Sequence, residues 1–367
     1  MGKGTSRLDG LDALRGMAAI AVAIYHTLIL MKLVPVPELP WIVTTFYIAV
    51  PLFYAVSAFS MCAGYVDRLE NGAQIGAFYA RRFLRIAPLF YVMIGAWILF
   101  YSYLWGSWHL PPLGDIALNF AFIFNFFPSA SSSVVAAGWS LGNEAIFYAL
   151  FPALIIILTN VWRCVWALLF SLAVAVFAGI MLTSVPNQFG WFTILVQAPF
   201  FIVGILMFHI FTRLKDKTAT ERKWLALALI ALSGVSLYLL SQVPGSWMIF
   251  DGWSASPHLI GLAFSPLVLS FALFKFFVLV NRLTVYIGTI SYGIYLIHPL
   301  VIASINSSPL KSMLPELSVL VVILSVLIPV VALASVSYRW FELPFMRLTS
   351  RPKKSVLTPQ PAALPAE

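Results

Sequence analysis

Arg15 and His26 lie eleven positions apart in a nearly continuous apolar stretch, and both could take part in chemistry. Eleven residues are close to three turns of an α-helix, a rise of about 16.5 Å, so the two side chains share one helix face. A cation at the mouth of that face and an imidazole deep within it suit a long anionic cofactor whose reactive end is buried. The alternative is structural, with Arg15 as a membrane anchor and His26 as a hydrogen-bonded packing residue.

A second group of cations, Arg81, Arg82 and Arg85, opens another apolar run just before Pro88. Arg82 and Arg85 are i,i+3 neighbours on one face of the predicted helix. Guanidinium groups bind phosphate oxygens in pairs of hydrogen bonds, and a helix N-terminus also favours anions. The spacing is consistent with a phosphate site, or equally with anchoring to lipid headgroups.

Apart from Glu316 at the first position of the last run, Glu144 is the only acidic residue within the apolar runs that are long enough to cross a membrane. Ionisable groups at membrane depth are costly and often functional, although the helix dipole favours a carboxylate in a first turn. His26, Glu144 and His298 are predicted to reach similar depths. An imidazole beside a carboxylate would form a general-base arrangement, and whether these three side chains meet is a question for the structure.

The composition indicates that these residues are positioned by membrane-spanning helices. Hydrophobic residues make up 61% of the 367, charged residues only 10%, and the mean hydropathy is +0.95. The net charge of +9 is scattered between apolar blocks, which argues against a nucleic-acid partner and for cytoplasmic anchors. Cys62 and Cys164 lie inside apolar runs, so no disulfide framework is expected.

Ten runs have the roughly 20 residues needed to span the hydrocarbon core, which predicts an all-α polytopic protein. They lie near 13–34, 43–65, 86–105, 139–158, 161–184, 190–212, 223–242, 258–280, 285–306 and 316–338.

The shorter run 113–127 decides the topology. If it spans, most Lys and Arg residues face outward, including the cluster at 213–223. If it does not, only Lys32 and Lys311 face outward and both termini are cytoplasmic, as the positive-inside rule favours. We therefore predict that 106–138 is one external segment, with 113–127 re-entrant or interfacial.

The domain organisation is expected to be simple. Residues 1–348 form the predicted membrane domain. Residues 349–367 contain a Pro/Ala-rich stretch and are predicted to be a disordered cytoplasmic tail. No cleavable signal peptide is evident, because the first apolar run is itself long enough to span.

Six segments in order resemble the motifs of a known family. They are Leu11–His26, Pro51–Phe59, Arg82–Pro88, Trp139–Tyr148, Ser291–Pro299 and Phe341–Phe345. Together they resemble the acyltransferase 3 family of integral membrane enzymes, which O-acylate polysaccharides, lipids and small molecules. Ala13 and Ala58 replace glycines of the usual family pattern, which puts close helix or ligand contact at those two positions in question. The SGNH-type domain that some members carry is not expected here.

The resemblance implies a site, a donor and an acceptor. Acyl-CoA, most often acetyl-CoA, would bind with its phosphates on Arg82, Arg85 and Arg15, and no metal is expected. His26 would act on an external hydroxyl as general base or as a transient acyl carrier. Glu144 would orient the imidazole and stabilise its cationic form.

The same resemblance implies supporting roles for a further set of polar residues, with Ser140 expected to act mainly as a helix cap. These residues are Ser57, Ser140, Tyr148, Tyr295, His298 and Glu342.

The expected function is transfer of an acyl group, in the cell inner membrane, to a glycan or other hydroxyl-bearing acceptor. The main alternative is a secondary transporter or a lipid or glycan flippase, since intramembrane His and Glu residues also serve proton relays. Such transporters often contain inverted repeats, and none is visible in the sequence.

Overall fold

The computed structural model describes residues 8–33, 46, 49–69, 72–182, 184–242, 256–311 and 318–349. Every regular element among them is helical. The predicted tail falls almost wholly outside the described residues.

The α-helices in chain order are α1 (Asp9–Leu30), α2 (Ala49–Tyr65), α3 (Gly72–Trp105), α4 (Leu113–Phe120), α5 (Trp139–Ile157), α6 (Val161–Met181), α7 (Phe189–Phe192), α8 (Ile194–Leu214), α9 (Ala219–Ser241), α10 (Ser256–Leu273), α11 (Arg282–Thr289), α12 (Ser291–Asn306), α13 (Val319–Ser337) and α14 (Leu343–Leu348). A 3₁₀ turn covers Phe124–Phe126, and a π-helical turn covers Tyr338–Glu342.

Each of the ten predicted apolar runs overlaps at least one helix, and the run 285–306 overlaps two, α11 and α12. Seven helical stretches of the described chain are long and apolar enough to cross a membrane. The pair α11 and α12, bent by 69°, makes an eighth if it forms one broken span. Helix α2 and most of α10 are shorter apolar helices. The all-helical membrane architecture is confirmed, whereas the count of ten spans and the side of each terminus stay predictions.

The short run at 113–127 does not form a spanning helix. Helix α4 has eight residues, a rise of about 12 Å, against the roughly 30 Å of the hydrocarbon core. Asn119 at its end is buried, and its Oδ1 accepts hydrogen bonds from Ser133 Oγ at 2.6 Å and Val134 N at 3.2 Å. The segment therefore folds back on itself, as the charge distribution predicted.

Two amide side chains fasten this segment to the helices. Asn125 Nδ2 donates to the carbonyls of Trp139 and Phe192, both at 2.9 Å, and Asn143 Nδ2 donates to Phe192 O at 2.8 Å. A Cβ on Gly142 would lie 1.5 Å from Asn125 Oδ1, so the amide packs directly on the backbone of α5. Three separate parts of the chain are thereby joined through the backbone carbonyls of Trp139 and Phe192.

Helix α1 packs against α2, α10, α11, α12 and α13, so it occupies the centre of the fold. Its closest approach is to α11, where a Cβ on Gly288 would lie 1.8 Å from the Asp12 carbonyl oxygen and one on Gly16 would lie 2.6 Å from Gly288 N. Ala13 and Ala58, which replace family glycines, are fully buried. Their methyl groups are accommodated, while glycine at 16 and 288 makes the tight contact.

Gly288→Ala is predicted to destabilise the protein. The added methyl meets backbone, which cannot rotate away, so we expect a loss of at least about 1–3 kcal/mol and a lower Tm in detergent. Gly234→Ala is the matched control, because a Cβ there meets nothing within 4 Å. Equal melting temperatures for the two variants would contradict the close α1–α11 contact.

The predicted topology can be tested by thiol labelling. In a background with Cys62 and Cys164 replaced, we expect Ser132→Cys to label from outside intact cells and Asp216→Cys to label only after permeabilisation. Both positions are exposed in the structure, so access within the protein is not limiting. Labelling of both positions from outside would overturn the assignment of sides.

Candidate active site

A cavity of about 230 Å³ lies among α1, α2, α3, α5 and α12. Most of the residues singled out from the sequence line it. Its charged and polar lining consists of Arg15, Tyr54, Ser57, Ser60, Arg82, Arg85, Ser140, Glu144, Tyr148, Ser291, Tyr292 and Tyr295. Three cations and one carboxylate give this lining a positive balance, which suits an anionic ligand.

Arg82 is held in place by aromatic rings. Its Nη2 donates to Tyr65 Oη at 3.1 Å, and its guanidinium carbon lies 5.2 Å from the Tyr65 ring centre and 5.6 Å from that of Tyr148. Arg81 Nε donates to the same Tyr65 oxygen at 3.1 Å. Cation–π contacts on two sides hold a guanidinium group without neutralising it, so its charge remains available to a ligand.

Arg15 and Arg85 are held less tightly. Arg15 donates to Asp12 Oδ1 and to Ser60 Oγ, both at 3.4 Å, and Arg85 Nη1 lies 3.8 Å from the Met346 sulfur. Contacts of this length are weak and leave much of the donor capacity of both side chains for an anion.

Glu144 is bound by two hydroxyl groups within the cavity. Ser57 Oγ donates to its Oε1 at 2.9 Å, and Tyr148 Oη donates to the same oxygen. Tyr148 in turn stacks on Arg82. The carboxylate therefore fixes the aromatic wall of the arginine site.

His26 and His298 form a hydrogen-bonded pair outside the cavity lining. His26 Nδ1 lies 2.8 Å from His298 Nε2, and the ring centres are 5.0 Å apart with planes 17° from parallel. His298 is completely buried, and its Nδ1 lies 3.1 Å from the carbonyl oxygen of Ile294. His26 is half-buried.

The expected pairing of Glu144 with His26 is replaced by the histidine pair. Glu144 bonds to Ser57, which lies one helical turn from Ser60, the partner of Arg15. His26 lies about 16.5 Å along α1 from Arg15. The carboxylate therefore shares the cavity with Arg15, and its hydrogen bonds go to Ser57 and Tyr148 and not to the imidazole.

Tyr295 links the cavity to the histidine pair. Ser140 Oγ donates to Tyr295 Oη at 2.8 Å, and Tyr295 Oη donates to the Ala137 carbonyl at 2.9 Å. The centre of its ring lies 5.9 Å from that of His298. Ser140 makes no cap hydrogen bond on α5, so the expected helix-cap role is wrong and its hydroxyl instead joins this connection.

Glu342 lies in the π-helical turn and is not part of the cavity lining. Its side chain is 2% exposed, and Oε1 has no hydrogen-bond partner among the described residues. A Cβ on Gly293 would lie 3.3 Å from that oxygen, so the carboxylate packs against α12. Arg85 is the cation that interacts with it electrostatically.

Several residues of the site were not singled out from the sequence, and one of them, Tyr65, supports Arg82 from outside the cavity lining. Tyr65 lies eight residues after Ser57, and the aromatic support it gives to Arg82 has no sequence signature. Ser60 follows Ser57 by three residues on the same helix face, a spacing that could have indicated it. Among the described residues, no three His, Cys, Asp or Glu side chains come together as metal ligands would.

Comparison with known proteins supports the resemblance seen in the motifs. The model of the acyltransferase 3 family, described as an acyltransferase domain, matches residues 8–339. A putative acetyltransferase, ORF330 of Acidianus two-tailed virus, is 25% identical over 289 residues, which cover 78% of this chain and 80% of the relative.

The O-acetyltransferase OatA of Staphylococcus aureus (strain NCTC 8325 / PS 47) is 23% identical over 366 residues. The match covers 93% of this chain and 57% of OatA, so the chain corresponds to little more than half of that relative. No solved structure matches. With the family model covering nearly all of the described helices, the chain belongs to the acyltransferase 3 family and is a membrane enzyme that transfers acyl groups.

Proposed function

We propose that the protein transfers an acetyl group from cytoplasmic acetyl-CoA to a hydroxyl of a glycan or similar acceptor on the external side of the inner membrane. The printed names of the relatives, an O-acetyltransferase and a putative acetyltransferase, support acetyl as the acyl group. The observation that carries the proposal is a cationic cavity joined through one tyrosine to a histidine pair.

The donor is the anionic substrate in this proposal. Phosphates of CoA would take the free donor groups of Arg82, Arg85 and Arg15, as charge-assisted hydrogen bonds. The cavity volume of about 230 Å³ is below the roughly 300–1,000 Å³ of sites for drug-sized ligands, so it admits only part of an acyl-CoA. The pantetheine arm would follow the shared face of α1 toward His26.

The chemistry would take place at His26. As a general base, its imidazole would take the proton of the acceptor hydroxyl while the oxygen forms a bond to the thioester carbonyl. The carbon–sulfur bond then breaks, and the CoA thiolate takes the proton from the imidazolium. As a nucleophile, the imidazole would first displace the thiolate and carry the acetyl group to the hydroxyl.

Glu144 is assigned to the donor end of the site. By accepting hydrogen bonds from Ser57 and Tyr148, it would hold the ring that stacks on Arg82. The sequence predicted that Glu144 orients the imidazole of His26. The hydrogen bonds of its carboxylate support this different role at the arginine site.

Arg82→Ala should raise the KM for acetyl-CoA with little change in kcat. Loss of one charge-assisted phosphate contact is worth about 1.5–3 kcal/mol, or roughly ten- to a hundred-fold. Arg213→Ala is the control, because Arg213 is exposed and outside the cavity. Steady-state release of CoA would be measured, and an unchanged KM in folded Arg82→Ala protein would move Arg82 to the lipid-anchor role.

His26→Asn should abolish transfer while leaving acetyl-CoA binding nearly unchanged, since asparagine cannot take a proton or carry an acyl group. His209→Asn is the control, because the His209 ring bonds to the Leu158 carbonyl away from the site. Mass spectrometry of surface glycans would compare a deletion strain complemented with each variant. Wild-type acetylation with His26→Asn would refute the catalytic role.

The base and nucleophile routes can be separated with radiolabelled acetyl-CoA and no acceptor. An acetyl label that survives rapid quench and disappears in His26→Asn is expected for the nucleophile route. Absence of retained label, in a preparation that turns over fully once acceptor is added, would establish direct transfer.

A further inference from the structure

The hydrogen bonds around His298 determine where its proton lies. A backbone carbonyl oxygen only accepts hydrogen bonds, so the 3.1 Å contact from His298 Nδ1 to Ile294 O requires a hydrogen on Nδ1. A neutral imidazole carries one ring hydrogen, which leaves His298 Nε2 as an acceptor. The direction of the next hydrogen bond follows from this.

His298 is kept neutral by its surroundings. It is completely buried, and the groups that interact with its ring are the imidazole of His26, the ring of Tyr295 and the backbone carbonyls of Ile294 and Tyr295. None of these is a carboxylate. A buried imidazolium without an opposite charge would carry a large desolvation cost.

The 2.8 Å contact between the two histidines then has only one direction. Since His298 Nε2 has no hydrogen, His26 Nδ1 must donate to it. A neutral His26 therefore has its lone pair on Nε2. In a neutral histidine, the hydrogen bond made by one ring nitrogen determines which of the two nitrogens is protonated. For His26, this is determined by the hydrogen bonds that run from the Ile294 carbonyl through His298.

We propose that His298 is a positioning residue that locks His26 in the Nδ1–H tautomer and so presents Nε2 to the reaction. This inference rests on the proposed function, in which His26 is the group that reacts. In the base route, the acceptor proton moves to Nε2 of His26 and then to the leaving thiolate, while Nδ1–H stays bonded to His298. In the nucleophile route, the same Nε2 attacks the thioester carbonyl.

The arrangement resembles the logic of a catalytic triad, with a neutral imidazole in the place of the carboxylate. A carboxylate at this completely buried position would leave a charge inside the helix bundle, which is costly. An imidazole accepts the same hydrogen bond with no net charge. Neither His298 nor His26 lines the cavity, and His298 is the more deeply buried of the two.

The tautomers can be read directly by ¹⁵N NMR of histidine-labelled protein in detergent at neutral pH. We expect His26 and His298 each to show a protonated Nδ1 and an unprotonated Nε2, with each signal assigned by its loss in the corresponding His→Asn variant. In His298→Asn, the signal of His26 should redistribute between the two tautomers. A protonated Nε2 on His26 in the unaltered protein would overturn the proposal.

Activity separates positioning from a merely structural role. Glutamine places its amide near Nε2 of the histidine that it replaces and can accept from His26, whereas asparagine places its amide near Nδ1 and cannot. We expect His298→Gln to keep most of kcat and His298→Asn to lose about 10- to 100-fold, part of what a positioned base contributes. The KM for acetyl-CoA should be unchanged in both.

Equal losses of kcat in the two variants, at equal melting temperatures, would contradict the positioning role. Because the NMR measurement needs no turnover, it stands apart from the proposed function. If NMR shows the expected tautomers and His26→Asn is nevertheless active, the proposed catalytic function of His26 is refuted. The proposed hydrogen bonds from Ile294 through His298 to His26 would still stand.

Discussion

The need to keep cationic side chains within a membrane-embedded bundle governs the structure around the site. An isolated guanidinium group is costly in hydrocarbon, and it is tolerated where it faces the interior of a bundle and finds partners. Arg82 finds them in the faces of Tyr65 and Tyr148, and Tyr148 is held by Glu144. Helices α2, α3 and α5 have to converge for this to happen, and the cavity lies at their meeting point.

The close approach of α1 to its neighbours completes the arrangement. Gly16 and Gly288 allow α1 and α11 to pack backbone to backbone, and α12 follows after a 69° bend. Beyond the bend, α12 runs beside α1, so that His298 meets His26 and Asn306 bonds to the Leu30 carbonyl. The histidine pair therefore depends on a helix contact ten residues away along each helix.

The sequence contained enough information for the helices and for much of the cavity. Hydrophobic run length follows from membrane thickness, so the apolar helices could be located. The charge distribution indicated that 113–127 does not span. Spacing along one helix put Arg82 and Arg85 on a shared face, and both line the cavity. These are properties of single helices, which local sequence determines.

Contacts between helices could not be predicted in the same way, because depth within a run does not fix the register against a neighbour. Glu144 and His26 were expected to meet at similar depth, yet Glu144 bonds to Ser57 and Tyr148. The assignment of Ser140 to a helix cap failed for the same reason, since its partner Tyr295 is on a distant helix. The motifs grouped these residues without specifying which of them pair.

The separation of the arginine cavity from the histidine pair has an electrostatic consequence for the proposed reaction. A phosphate site has to carry positive charge, whereas an acid–base histidine must begin neutral and become cationic during transfer. Coulomb repulsion falls with distance, so at about 16.5 Å it is roughly a quarter of its value at 4 Å for the same dielectric. Because Arg15 and His26 lie at opposite ends of one helix face, α1 can contribute to a cationic phosphate site and also hold a neutral histidine. A neutral His298 adds no further charge where the imidazolium would form.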